Sequence, residues 1–423
     1  MQGRLDKSVL TEKGCTAATQ VGSALNSLTF DYLYSSPLQR AKQTAEIILS
    51  CFDTPPPLQA TDKLMEIDLP LWEGMLRQDV INQFPEDYRR WQEQPDKFSM
   101  AVSNNGEKFD YFPVLALFEN ACLFWQDVLS RHDGQTILVV AHNGINRALI
   151  ATALGISPAY YHAIQQSNCG ITVLNFSGNL GEPVQLESMN LTSHVGEIFP
   201  KPREGHHGPR LLLVRHGETE WNKAGKFQGQ IDVPLNENGR EQSQRAAEFL
   251  KEVKLDFAVS SSMLRPKETA EIILQYHPEI QLQLKDRLRE ISHGLWEGKF
   301  ESEIEGDFPG LLNEWKTAPE NVQMPEGENL QQVWERAIAA WREVVASVSG
   351  VGIVVAHDAI NKAILCHLFG LEPDRFWNFK QGNGAVTVID YPNGLDGLPV
   401  LQAMNITTHL SGGVLDKTAA GAL

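Results

Sequence analysis

Cysteine is scarce in this chain: five residues among 423, at Cys15, Cys51, Cys122, Cys169 and Cys366, odd in number and never in a CxxC pair. That usage points to a reducing compartment and excludes a cysteine-built metal site. Long apolar runs are also missing, and nothing approaches the ~18 to 20 residues of a membrane helix. The first residues, MQGRLDKSVL, carry no apolar signal-peptide core. Positive charge is in deficit, with 36 Lys and Arg against 53 Asp and Glu and a net charge of −17. That balance argues against nonspecific binding to nucleic acid or to an anionic membrane. An anionic substrate has to be drawn by a local cluster of Arg and His. What remains, 42% hydrophobic and 21% charged, is the composition of an ordinary soluble globular protein. Its length predicts two domains of about 200 residues each.

The chain repeats itself. SSPLQRAKQTAEII (Ser35 to Ile48) returns as SSSMLRPKETAEII (Ser260 to Ile273), and LMEIDLPLWEG (Leu64 to Gly74) as LREISHGLWEG (Leu288 to Gly298). ILVVAHNGIN (Ile137 to Asn146) returns as GIVVAHDAIN (Gly352 to Asn361), and MNLTSH (Met189 to His194) as MNITTH (Met404 to His409). The order never breaks, which describes a tandem duplication of one domain. We therefore expect a first domain over 1–194, a linker over 195–209, a second domain over 210–410 and a frayed tail over 411–423. The linker, VGEIFPKPREGHHGP, is rich in Pro, Gly and charge, so His206 and His207 are read as solvated. Within each copy, helical stretches (Gly239 to Val253, Pro266 to Gln275, Leu330 to Val348) alternate with short apolar strands such as Phe257 to Val259. That alternation implies a mostly parallel sheet flanked by helices.

One stretch of the second copy stands out. Leu211 to Val214 is an apolar run of the kind a buried parallel strand needs, and it ends abruptly in Arg215, His216 and Gly217. Open α/β sheets place their ligands at the carboxyl ends of strands. A cation and an imidazole there suit chemistry on an anion. A second apolar strand, Ile353 to Ala356, ends in His357, as its counterpart ends in His142. His357 could also be a packed helix-start residue, Asn222 a turn cap and Glu290 a surface carboxylate.

The ordered set Arg215, His216, Gly217, Glu218, Thr219 and Asn222, followed by Gln228 and Gly229, resembles the signature of the histidine phosphatase superfamily, the phosphoglycerate-mutase-like fold. The resemblance implies two tandem α/β domains, each a three-layer α/β/α arrangement. It implies a phosphohistidine enzyme in which His216 attacks, Arg215 and Arg265 clamp phosphate oxygens, His357 stabilises developing charge and Glu290 exchanges the proton. Asn222, Gln228 and Gly229 would bind substrate. Trp296, Glu297 and Gly298 are read as structural. Pro325-Glu326-Gly327-Glu328 resembles the family's substrate rim, with Glu in place of a small residue.

The tandem arrangement with LREI and GLWEG looks like the group of phosphatases acting on 2-carboxy-D-arabinitol 1-phosphate in photosynthetic organisms. The implied activity is metal-independent hydrolysis of a small sugar phosphate, with no cofactor. A mutase-type phosphotransferase and a noncatalytic phosphate-binding regulator are the alternatives. The first copy retains Arg40, Glu66 and His142 as a possible second site, but Met1-Gln2-Gly3 aligns with Phe227-Gln228-Gly229, beyond the point where its own Arg-His-Gly strand belongs. Some twenty residues are expected upstream of Met1. Its FPVLALF (Phe112 to Phe118) lacks the rim loop. The compartment is read as cytoplasmic, or plastid stroma for a plant source; the oligomeric state stays open.

Overall fold

The structure, a computed structural model, describes residues 1–104 and 106–419. Contacts divide the chain into two compact units, one of residues 1–171, 176–184 and 192–197, the other of 172–175, 185–191 and 198–423. The division does not follow the repeat boundary near residue 194, and the strands show why. In chain order they are β1 (Tyr32–Ser35), β2 (Leu58–Ala60), β3 (Met100–Asn104), β4 (Glu107–Tyr111), β5 (Ile137–Val140), β6 (Ile171–Phe176) and β7 (Val184–Leu191) from the first repeat. The second repeat contributes β8 (Arg210–Arg215), β9 (Phe257–Ser261), β10 (Leu282–Lys285), β11 (Val351–Ala356), β12 (Val386–Asp390) and β13 (Val400–Ile406).

In the first unit, β2-β1-β5 form a three-stranded parallel sheet and β3-β4 a hairpin. In the second unit the sheet order is β10-β9-β11-β8-β12-β13-β7-β6. Strands β8 to β11 are parallel, while β12 runs antiparallel to β8, β13 to β12, and β7 to β13. The arrangement is α/β, with a parallel sheet and flanking helices, as expected. The unexpected part is that residues 172–175 and 185–191 of the first repeat extend the second unit's sheet.

That extension is built with pseudo-twofold symmetry. Met404 pairs with Met189, its counterpart in the repeat. The Asn190 amide donates to the Gln402 carbonyl at 2.7 Å, and the Asn405 amide donates to the Glu187 carbonyl at 2.7 Å. Both asparagines hold a positive φ, 55° and 53°, and both backbone N–H groups donate to a threonine hydroxyl (Thr172 and Thr387) at 3.1 Å. Asn tolerates the left-handed region better than most residues and here spends its amide across the strand pair.

Every residue of β8 is buried, because it lies between β11 and β12 in the middle of the sheet. This is what the uninterrupted Leu-Leu-Leu-Val run encodes. By contrast, Ile137 to Val139 of β5, last in its three-stranded sheet, are half-buried. The helical readings map to Glu237–Leu250, Leu264–Ile273 and Leu330–Ser347. Pro266 fits inside the second because it occupies the first turn, where a helical N–H has no acceptor.

The tail requires a correction. Residues 420–423 lie outside the described residues, but 414–418 are not frayed. The Asp416 N–H donates to Glu187 at 3.1 Å, and the Thr418 hydroxyl accepts from the Asn383 N–H at 3.2 Å. Sparse hydrophobicity suggested fraying; these polar ties override it.

Candidate active site

Strands β8 and β11 are parallel neighbours, and Ala356 is in register with Arg215. Their carboxyl ends therefore deliver His216 and His357 to one place, with the His216 N–H bonded to the Ala356 carbonyl at 3.1 Å. The two imidazoles stand edge to face with ring centroids 5.2 Å apart. Gly217 makes the turn possible: a Cβ there would lie 2.3 Å from the Gly239 carbonyl oxygen, at the start of the Glu237–Leu250 helix.

The sequence does not say which imidazole nitrogen is free, and the structure does. His216 Nδ1 lies 2.7 Å from the Gly217 carbonyl, an acceptor, so Nδ1 carries the proton. Nε2 then holds a lone pair, and Arg265 Nε donates to it at 3.2 Å. Burial, together with the Arg265 and Arg215 charges, pushes His216 well below the usual imidazole range. A neutral ring is the nucleophilic form. The same forces depress His357, whose Nε2 meets the Ser261 hydroxyl at 2.9 Å, so this ring is neutral as well.

Arg265 is aimed by backbone carbonyls. Its guanidinium donates to Gly229 at 2.8 Å and Ile231 at 3.1 Å, and burial lowers it to about 10 without discharging it at neutral pH. Arg215 donates to the Gln381 carbonyl at 2.5 Å and lies 3.3 Å from Asp358. Glu290 is 4% exposed, and its Oε1 accepts from Ile291 N–H at 3.0 Å and Ala359 N–H at 3.3 Å. Burial first, then the Asp358 charge, raises its carboxyl above the ordinary range, against the pull of Arg265, the Ile291 N–H and Arg215.

The remaining expected residues are present but mostly engaged. Asn222 Oδ1 accepts from Thr219 N–H at 3.2 Å, closing a reciprocal cap on the Glu220–Ala224 helix, and Gln228 accepts from the Thr219 hydroxyl at 2.9 Å. Gly229 acts through its backbone, since its carbonyl aims Arg265. In the rim loop, Glu328 accepts from Ser292 N–H at 2.8 Å and pairs with Arg336 at 2.7 Å, so it braces the segment carrying Glu290. Glu297 likewise accepts from the N–H groups of Gln230, Ile231 and His293. Trp296 is wholly buried against Phe227.

The family model for the histidine phosphatase superfamily (branch 1) matches residues 1–189 and again 211–407. The chain belongs to this superfamily. It is a phosphatase. The 2-carboxy-D-arabinitol-1-phosphatase of Triticum aestivum is 30% identical, over 97% of this chain and 83% of that protein. A probable 2-carboxy-D-arabinitol-1-phosphatase of Arabidopsis thaliana is 29% identical, over 97% and 84% respectively. Phosphoserine phosphatase 1 of Hydrogenobacter thermophilus is 33% identical over 48% of this chain and 94% of its own.

The first repeat of this phosphatase keeps part of the same framework. Arg40 donates to the Gly3 carbonyl at 2.9 Å and the Leu5 carbonyl at 3.3 Å, mirroring Arg265. Glu66 accepts from the N–H groups of Ile67, Gly144 and Ile145 and is raised by burial, and His142, at the end of β5, is pushed down to about 3. Phe112 to Phe118, read as lacking the rim loop, run into the Pro113–Leu129 helix directly after the β3-β4 hairpin. Sequence reasoning missed Asn383, whose amide donates to the His216 carbonyl at 3.0 Å, and the buried pair Asp358 and Lys362. The signal for Asn383 was absent because its loop is remote in the chain. Asp358 directly follows His357 and was legible by position. Among the described residues no cluster of His, Cys, Asp and Glu could hold a metal, and no helix is long and apolar enough to cross a membrane.

Proposed function

We propose that this phosphatase hydrolyses a small phosphorylated sugar or sugar acid through a phosphohistidine on His216 Nε2. The observation that carries the reading is the fixed tautomer: Nδ1–H is spent on the Gly217 carbonyl, and the Nε2 lone pair faces the Arg265 fork. A phosphate entering between Arg265 and Arg215 exchanges their weaker contacts for charge-assisted bonds. Nε2 attacks phosphorus, the bond from phosphorus to the ester oxygen breaks, and Glu290 gives its proton to the departing alkoxide. The ring becomes cationic, and its Nδ1–H bond to Gly217 strengthens. Water then attacks phosphorus, its proton passes to the Glu290 carboxylate, and Nε2 leaves. His357 takes up positive character beside the phosphoryl dianion. Two guanidinium forks supply the charge this chemistry needs, so the reaction as drawn uses no metal.

The relatives named for 2-carboxy-D-arabinitol-1-phosphatase activity support a sugar-acid monophosphate as substrate. The compartment follows the source, a cytoplasm or a plastid stroma. The test is phosphate release from a panel of sugar monophosphates, including 2-carboxy-D-arabinitol 1-phosphate, with and without chelator, by wild type and His216→Ala. Release that survives chelation and disappears in the variant supports the reading. Release that persists in His216→Ala refutes it, and phosphate reappearing elsewhere on the substrate would assign a phosphotransferase.

A further inference from the structure

Behind the two arginines lies a buried ion pair that the reaction above does not use. Asp358 is the first residue of the Asp358–Leu368 helix and is 2% exposed. One of its oxygens lies 3.3 Å from Arg215, and the other lies 2.6 Å from Lys362 one helical turn later. Lys362, 4% exposed, is capped by the faces of Phe376 at 4.8 Å and Trp377 at 4.4 Å. Burying two such charges is costly, and a purely structural pair is readily replaced by apolar residues.

The first repeat offers an internal comparison. Asn143 stands where the second repeat has Asp358, and its amide donates to the Gln166 carbonyl at 2.5 Å. Gln166 is the counterpart of Gln381, whose carbonyl Arg215 grips in the second repeat. A neutral amide thus serves this corner of the fold. The carboxylate occurs in the copy where Arg215 grips the Gln381 carbonyl and lies 3.3 Å from Asp358.

We propose that Asp358 is a positioning residue, which locks the Arg215 fork and holds the proton on Glu290 until the ester oxygen leaves. The argument rests on the function proposed above. Glu290 meets cations from several sides: Arg265 from the Leu264–Ile273 helix, Arg215 from the end of β8, and Arg336, which donates to the Glu290 carbonyl at 2.9 Å. Arg336 is itself neutralised by Glu328. Lys362 adds a further positive charge, and both His216 and His357 are neutral. The Ala359 N–H, at a helix start, also favours the carboxylate. These groups pull the Glu290 carboxyl down, against burial, which raises it most. Asp358 supplies the opposing negative charge. With Glu290 protonated, the buried set Arg215, Arg265, Lys362 and Asp358 carries a net +2, which matches a phosphate monoester dianion.

The experiment is the pH dependence of kcat/KM between pH 5 and 9.5 with phenyl phosphate, a monoester whose leaving group benefits from protonation. Wild type, Glu290→Gln, Asp358→Asn and Lys362→Met are compared. A basic limb that reports loss of the Glu290 proton vanishes in Glu290→Gln. Removing a neighbouring anion lowers the acid's pKa, so in Asp358→Asn the limb moves down by about one pH unit. At pH 9 this variant then loses roughly tenfold, against less than threefold at pH 6. Removing a neighbouring cation raises the pKa, so in Lys362→Met the limb moves up. Opposite shifts are not produced by generic loosening, and Lys362→Met keeps the test alive should Asp358→Asn fold poorly. Limbs that coincide with wild type in both variants, while Glu290→Gln has lost its own, overturn this inference alone. A limb surviving in Glu290→Gln overturns the acid assignment and this inference with it.

Discussion

Gly217→Ala is the most stringent test of how the site is held. A Cβ at 217 would lie 2.3 Å from the Gly239 carbonyl oxygen and 2.9 Å from its carbonyl carbon. The opposing surface is equally bare, since a Cβ on Gly239 would lie 2.0 Å from the Glu218 oxygen. Both partners are backbone, so no side chain can swing away. Reaching ordinary contact requires a separation of roughly 1 Å between the His216 turn and the Glu237–Leu250 helix. Overpacking of this kind costs about 1–3 kcal/mol, which lowers the melting temperature of a unit this size by roughly 4–8 °C at 2 kcal/mol. The catalytic effect should be larger, because the displaced carbonyl of Gly217 orients His216 Nδ1 and a misplacement of about 1 Å can cost on the order of 100-fold. The assay pairs thermal unfolding with kcat/KM for phosphate release, measured well below the melting transition. A variant within threefold of wild type in rate would refute the claim that this close approach sets the nucleophile.

Arg265→Lys keeps the charge but loses the fork that bridges Gly229, Ile231 and His216, so kcat/KM should fall roughly 100-fold or more with little change in unfolding temperature; phosphate-release kinetics check this. Burial holds His142 and His293 down to about 3 and His409 to about 4. Each stays neutral in the folded state while the unfolded chain takes up protons below about pH 6.5. Stability should therefore be intact above that value and decline as pH falls toward the folded values, by about 1 kcal/mol per histidine per pH unit. His293→Phe, among the rings of Phe227, Trp296 and Trp315, should reduce the slope between pH 6 and 4 in urea titrations, whereas an unchanged slope contradicts the assignment. Truncation after Gly413 removes the Thr418 contact to Asn383, whose amide holds the His216 carbonyl, and the Asp416 contact to Glu187 in β7, so phosphate binding should weaken severalfold in equilibrium titration while the unit stays folded.

Much of the site was legible because its chemistry is local. An apolar run that stops at Arg215-His216-Gly217 encodes a central strand and a reactive end together, and the repeat flagged His357 and Glu290 by giving each a counterpart. Helix positions followed from periodicity to within a few residues. Asn383 was not legible, since its bond to the His216 carbonyl joins residues 167 positions apart. Asn222 was read either as a phosphate ligand or as a turn cap, and its oxygen, committed to Thr219, fits the cap. The tail looked frayed because it is small and polar, and polar ties are invisible to a hydrophobic pattern.

By itself, the sequence determined the duplication, the α/β class and the superfamily, and it nominated the groups proposed to meet phosphate, all of which depend on residue order over short spans. Only the tertiary structure decided that residues 185–191 of the first repeat extend the second unit's sheet, because strand pairing is chosen by which edge is free and in register. Only the structure decided which nitrogen of His216 carries the lone pair, because a tautomer is set by a neighbour in space. The same holds for Glu290, whose carboxyl is raised by burial and by the charge of Asp358, a balance that exists once the chain has folded.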